Sequence, residues 1–383
     1  MRNDFLQFQM TLRVMKRLAA LILLSTLTLA CTGKKEGAQI DAEGDATAKA
    51  KSDKYLPEAA GEPGEIVIVM NKRKYEAGLG EAIKEVFREP VPGLTRPEPM
   101  FTIRVIEPFE FNRIFQIARN LVYVVSLEGE SAADKWLQGT FSEASKETIL
   151  NDPDRFMQMS ENQYAKNQKI LQLFGKDDKT LAKNIVENAS LIQNYFNIAE
   201  KQRLSENLKM SVASRAIVNR VNDQLGISIK IPASYELALL EDDFMWARFL
   251  PPVGASKNLF VYTKDYKSQD EFTPENIIKL RDEIGKKYIY GDPENPESYM
   301  VTENQYMHPV FRNINFNDRY TVEMKGAWKT NNFSVGGTFV SYTFVDEAKG
   351  KLYYIEGFVI HPSEDHRELI REMESLLTTF RTS

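Results

Sequence analysis

Fifty consecutive residues, 176–225, contain neither Gly nor Pro, and their charges are mixed at eight basic to six acidic. A stretch that long without a breaker has few ways to fold other than as helix. Leu181, Ile185, Ile192, Phe196 and Ala199 recur every three or four residues or a multiple of that, so one apolar seam runs along it. Straight, it would reach about 75 Å at 1.5 Å per residue, longer than a compact domain. The pattern therefore predicts a break in the polar stretch Glu200–Lys209, giving two helices. A shorter helix over about Asn162–Phe174, ended by Gly175, is expected before them. The helical segment, placed at residues 131–225, separates two halves of different pattern.

The half before it, residues 59–130, alternates strand and helix signals. Glu65–Met70 is an apolar run after the turn-forming Gly61-Glu62-Pro63-Gly64. Leu79, Ile83, Val86 and Phe87 form a helical stripe that Pro90 stops. Phe101–Ile106 alternates as a strand does, Phe111, Ile114, Phe115 and Ala118 give another stripe, and Leu121–Leu127 reads as a third strand. This order predicts a small α/β layer. The half after it, residues 226–383, is rich in strands: Ile227–Ile231, Phe244–Phe249, Leu259–Tyr262, Tyr320–Trp328, Thr338–Val345 and Lys351–Ile360. Asp346–Gly350 has the length of a hairpin loop. Thr273 and Pro274 open one helix as N-cap and first helical residue, and Ser363 is the expected cap of a last helix carrying Leu369, Ile370, Met373, Leu376, Leu377 and Phe380. The whole is α+β: a small α/β layer, a helical segment, and an antiparallel sheet covered by helices.

The N-terminus reads as an address. Met15-Lys16-Arg17 precedes the apolar run Leu18–Ala30, too short for the roughly 20 residues a bilayer helix needs, so residues 1–30 are expected to be an export signal. Cys31, the one cysteine among 383 residues, follows Leu29-Ala30 and resembles the lipobox of bacterial lipoproteins. That resemblance implies diacylglycerol modification of Cys31 and attachment to a membrane through the lipid. Residues 31–58 read as a flexible tether, since from Thr32 to Lys54 Ile40 is the only large apolar residue. Its typical reach is about 25 Å. Loss of residues 1–30 removes four cations and one carboxylate, taking the formal charge from -5 to -8. A body so charged is not expected to bind nucleic acid.

No motif carries chemistry on its own. There is no Gly-x-Ser-x-Gly elbow, no phosphate loop and no His-Glu-x-x-His helix. His308, His361 and His366 lack metal-ligand spacing, with His361-Pro362-Ser363 reading as a strand-to-helix turn. The acidic loop Gly291–Pro296 lacks the oxygen order of a calcium loop. Catalytic, cofactor and metal residues are accordingly assigned to none. Trp246 reads as core, while Trp328, followed by polar Lys329–Asn332, and Gly336-Gly337 are the candidate partner surface.

Tyr55-Leu56-Pro57 before Gly61–Ile66, Arg119-Asn120, Phe244-Met245-Trp246, Ser298-Tyr299-Met300, Gly326-Ala327-Trp328 and Gly336–Phe339 together resemble the family of unknown function numbered 4837, over about residues 55 to 380. The resemblance implies an envelope lipoprotein of Bacteroidota-type, Gram-negative cells and assigns no catalytic residue. The C-terminal pattern is also loosely similar to the sheet-and-helix sandwiches of the photosystem oxygen-evolving subunit and Mog1-like proteins, a likeness of fold that fixes no function. The expected protein is exported, lipid-anchored in the outer membrane facing the periplasm, with cell-surface exposure left open, and serves as a non-enzymatic binding or assembly module for another envelope component, a protein above all. The competing expectations are an envelope hydrolase or transferase using paired carboxylates, and a carrier with a closed apolar pocket.

Overall fold

The computed structural model describes residues 55–292, 295–362 and 364–383. Cys31, the signal-like run and most of the tether lie outside these. Among the described residues no helix is long and apolar enough to cross a membrane.

The first half contains β1 (Glu65–Val69), α1 (Lys72–Tyr75), α2 (Gly78–Phe87), β2 (Thr102–Ile106), α3 (Arg113–Gln116), β3 (Asn120–Ser126), α4 (Ala132–Gln138), α5 (Glu143–Asn151), β4 (Met157–Glu161), β5 (Lys169–Gly175), α6 (Asp178–Glu187) and α7 (Ala189–Asn207). Its sheet has the order β2-β1-β3-β5-β4, with β1, β2, β3 and β5 parallel and β4 antiparallel to β5. Alternate residues serve opposite faces: Ile66, Ile68, Val122 and Val124 meet α2, α6 and α7, while Val67, Val69, Tyr123 and Val125 meet Phe111, Phe115, Leu137 and Ile149. Helices on both faces explain why every residue of β3 is buried. The stripe of α2, Leu79, Ile83, Val86 and Phe87, is at most 3% exposed, and each side chain contributes about 1.5–3 kcal/mol by leaving water.

The second half contains α8 (Val212–Leu225), β6 (Ile227–Ser228), β7 (Glu236–Leu240), β8 (Phe244–Phe249), β9 (Ser256–Asp265), α9 (Pro274–Tyr288), β10 (Tyr290–Asp292), β11 (Asn295–Thr302), β12 (Val310–Phe316), β13 (Arg319–Thr330), β14 (Gly336–Asp346), β15 (Lys351–Ile360), α10 (Arg367–Leu377) and β16 (Arg381–Thr382). Nine strands form an antiparallel sheet in the order β10-β11-β13-β14-β15-β9-β8-β7, with β12 on β13. Helix α9 covers one face through Ile277, Leu280 and Ile284; α10 covers the other through Ile370, Met373, Leu376 and Leu377. Strands β6 and β16 pair apart from it. The α+β reading therefore stands.

Under α9 lies a buried ion pair. Arg281 donates from Nε and Nη2 to the two oxygens of Glu356 at 2.9 and 2.8 Å, and both residues are 0% exposed. Tyr354 OH donates to Glu356 at 2.6 Å and Arg281 Nη1 to Thr302 Oγ1 at 3.1 Å. Such a pair is tolerated because its hydrogen bonds are satisfied.

Four local expectations change. Lys169–Phe174, inside the helix expected over 162–174, and the expected stop Gly175 form strand β5. Its run Ile170-Leu171-Gln172-Leu173-Phe174 is short and apolar on both sides, and such a run fits a buried parallel strand as well as a helix. The Gly- and Pro-free stretch makes three helices, not two, because the chain breaks at Asn188 as well as at 208–211. Pro57 and Glu58, assigned to the tether, are already held: Lys166 N donates to Pro57 O, and Ala59 N to Lys166 O. The last helix begins at Arg367, past Ser363, which is outside the described residues. Its first N–H groups are met instead by Glu98, whose two oxygens accept from His366 N and Arg367 N at 2.7 Å each.

Candidate ligand groove

In a sheet of this type the strand order reverses between β1 and β3, and the crevice beyond their carboxyl ends is the usual ligand site. Here the chain fills it. Asn71, just after β1, donates from Nδ2 to Ser131 Oγ at 3.0 Å and to Asp134 Oδ1 at 3.1 Å, while Ser131 Oγ donates to Asp134 Oδ2 at 2.6 Å. Burial pushes the Asp134 carboxyl up, but hydrogen bonds from Ser131 and Asn71 and the charge of Lys74 outweigh it and leave it lowered. A Cβ on Gly129 would lie 2.3 Å from Asp134 Cγ. Asn71 and Asp134, 6% and 5% exposed, close this crevice as structure.

The open concavity lies elsewhere, at the seam of the two halves. A groove of about 750 Å³ runs between the last turns of α7, the start of α8, β6 and the turn after α10. Ile198, Lys201, Gln202, Ser205 and Glu206 line it from α7; Ser228, Ile229, Lys230, Thr378, Thr379 and Arg381 line it from the other half. Ile229, 1% exposed, forms part of its base, and Ile198, 63% exposed, stands at its mouth. Its volume is that of an ordinary ligand cleft. A smaller cavity of about 100 Å³ adjoins it through Gln202 and Glu206 and reaches Asn167, whose Nδ2 donates to Glu58 Oε2 at 3.4 Å.

Helix α7 is held in place from below by a charge cluster. Lys201 Nζ lies 3.2 Å from Glu374 Oε2, Lys325 bonds the other oxygen of Glu374, and Glu323 lies 3.6 Å from Lys325. Burial by itself pushes the Glu374 carboxyl up, yet the charges of Lys201 and Lys325 hold it well below its usual range. Ser375 Oγ donates to Lys201 O at 2.9 Å. Glu374 is thus engaged on both oxygens and anchors the groove wall as a fixed anion.

Trp328 and Gly337, expected at a partner surface, are buried inside the sheet, and Gly336 beside them is half-buried. Trp328 is 4% exposed, its ring packs edge-on to Phe358, and Nε1 donates to Val359 O at 3.3 Å. Gly337 pairs with Trp328 and Gly336 with Lys329 inside the sheet. A Cβ on Gly337 would lie 1.9 Å from Val359 O, so glycine is needed there for close backbone approach and not for a turn. Of the polar residues after Trp328, Lys329 and Thr330 still belong to β13, and only Asn331 and Asn332 enter the hairpin turn. Trp246 is core, its Nε1 donating to Asn258 Oδ1 at 3.1 Å. His366 is buried with Nδ1 2.7 Å from Thr338 Oγ1 and Nε2 2.8 Å from His361 O, so both ring nitrogens are engaged by protein. Among the described residues no three of His, Cys, Asp and Glu converge as metal ligands.

The groove residues carried no motif. The break expected within Glu200–Lys209 falls at its end, at 208–211, so α7 runs on to Asn207 and Lys201, Gln202, Ser205 and Glu206 become one wall of the groove. The available signal was Ile198, an aliphatic off the seam defined by Ile192, Phe196 and Ala199.

Residues 214–379 match the family described as Domain of unknown function (DUF4837), and residues 59–209 match Domain of unknown function (DUF8532). The first is the family the motifs resemble, over a shorter span; Gly61–Ile66 and Arg119-Asn120 fall in the second. No curated protein matches. A solved structure from Bacteroides thetaiotaomicron VPI-5482 aligns at 10% identity and a TM-score of 0.24, covering 41% of this chain and 45% of that one, so less than half of that protein's length is spanned. The groove lies where the two matched segments meet.

Proposed function

We propose, from the premise that residues 214–379 of this chain belong to the DUF4837 family, that the protein is an exported, lipid-anchored envelope lipoprotein. Its non-enzymatic role is to bind another envelope component in the seam groove. One observation carries the binding role: the groove is built jointly by the two matched segments, from α7 on one side and from β6 and the turn after α10 on the other. Ligand clefts favour such joins, because two rigid walls can be set independently of either core. The fixed pair of Lys201 and Glu374 and the Glu98 cap hold those walls together.

The anchor rests on Leu18–Ala30 and Leu29-Ala30-Cys31. A lipid on Cys31 would hold the body close to a membrane, with the outer membrane's periplasmic face the expected place. Palmitate labelling of wild type and Cys31→Ala tests this: label on the wild type alone is expected, and equal labelling would overturn it. For binding, a photo-crosslinking amino acid at Gln202 in living cells should yield a discrete adduct that is absent when it is placed at exposed Glu143. Adducts equal at both positions would end the groove reading.

A further inference from the structure

We infer that the groove takes an acidic, extended peptide segment of a partner protein. This rests on the binding role just proposed and names its ligand class. The chain as a whole has a formal charge of -5, yet three cations, Lys201, Lys230 and Arg381, line the groove against the single carboxylate of Glu206. Lys201 is engaged by Glu374. Lys230 Nζ makes one long contact, 3.4 Å to Ser205 O. Arg381 uses Nη1 on Thr378 O and Phe380 O at 2.9 and 2.6 Å, leaving Nε and Nη2 without a partner among the described residues. Two cations therefore present unspent donors to one concavity. A positive recess on a negative body selects anionic partners and speeds their encounter.

Between a peptide and a lipid, the walls favour the peptide. The hydroxyls of Ser205 and Ser228 have no hydrogen-bond partner among the described residues, and Gln202 spends only Nε2, on Glu206 at 2.8 Å. An alkyl chain laid along them would strip their water and return nothing, whereas a peptide backbone offers an N–H and a carbonyl at every residue. The apolar positions Ile198, Met210 and Val218, above the buried Ile229 at the base, then receive alternate aliphatic side chains, and the intervening carboxylates face Lys230 and Arg381.

Fluorescence anisotropy on the full-length protein tests this with a labelled eight-residue peptide alternating Glu with Ala and Leu. Its Lys-for-Glu analogue and vesicles of phosphatidylglycerol serve as competitors. The acidic peptide should bind at least about tenfold more tightly than the Lys analogue, and weaken on raising salt from about 50 to 500 mM. The K230E/R381E variant should lose about tenfold or more, and S228W, which fills the groove without changing charge, should lose a similar factor. Equal affinity for both peptides, indifference to charge reversal, or stronger competition by the vesicles would overturn the peptide assignment. If a Gln202 adduct still forms in cells under those outcomes, the groove remains a binding site for a ligand of another class. If the adduct is also absent, the binding role itself falls.

Discussion

Glu98 caps a helix that begins at Arg367, 269 residues further along the chain: its Oε2 accepts Arg367 N at 2.7 Å while Oε1 takes His366 N at the same distance. Arg367 returns the contact, donating from Nη1 to Pro99 O at 2.9 Å. The carboxylate supplies what local sequence does not, two acceptors and a negative charge at the positive end of α10.

Glu98→Ala should therefore lower stability by about 1–3 kcal/mol, more than an ordinary surface change, because one buried and one partly buried N–H group lose their acceptor. Urea unfolding of wild type and variant reads this directly. A variant within about 0.5 kcal/mol of wild type would show that water replaces the cap.

Gly337→Ala should be among the more damaging small changes. Its Cβ would sit 1.9 Å from Val359 O across the β14–β15 pair, and neither backbone can yield without breaking the ladder. A loss above about 2 kcal/mol is expected, with Gly78→Ala, where a Cβ meets nothing within 4 Å, as the control that stays near neutral or gains. Thermal melts of both variants decide it, and equal behaviour would contradict the close approach.

The pair Arg281 and Glu356 should be costly to break and cheaper to remove. Arg281→Met alone leaves a carboxylate buried at 0% exposure with only Tyr354 to meet it, and should cost about 3–5 kcal/mol. Arg281→Met with Glu356→Leu should recover part of that loss, since no charge then remains unpaired. A double variant as damaged as the two single losses summed would mean the sites act independently.

Acid should weaken the seam through Glu374. Its carboxyl is lowered in the folded protein by Lys201 and Lys325, so the unfolded chain binds the proton more readily. The stability it contributes is fully present above the ordinary Glu value of about 4.5 and is lost as pH falls from there toward the lowered folded value. Wild type should therefore lose more of its melting temperature between about pH 5 and pH 3 than Glu374→Gln does. Parallel acid slopes for the two would show that the cluster does not set the response.

Much of the architecture is local and was legible. Thr273 and Pro274 begin α9 as their chemistry requires, and the hairpin at 347–350 joins two strands whose alternation is plain in the residues. Composition and order alone determine that the chain is α+β, that Cys31 follows a signal-like run, and that residues 176–225 are mostly helical. What the residues in order could not decide were questions of partnership. Whether Ile170–Phe174 is strand or helix depended on β3 lying beside it. Trp328 looked wet because its neighbours in sequence are polar, yet its neighbours in space are Phe358 and Val359. The cap of α10 and the groove between α7, β6 and the turn after α10 exist only where distant segments meet, because burial and electrostatic pairing depend on distance through space. Local order sets only conformational preference and periodic pattern, which is why it determined the elements and left the binding surface to the tertiary structure.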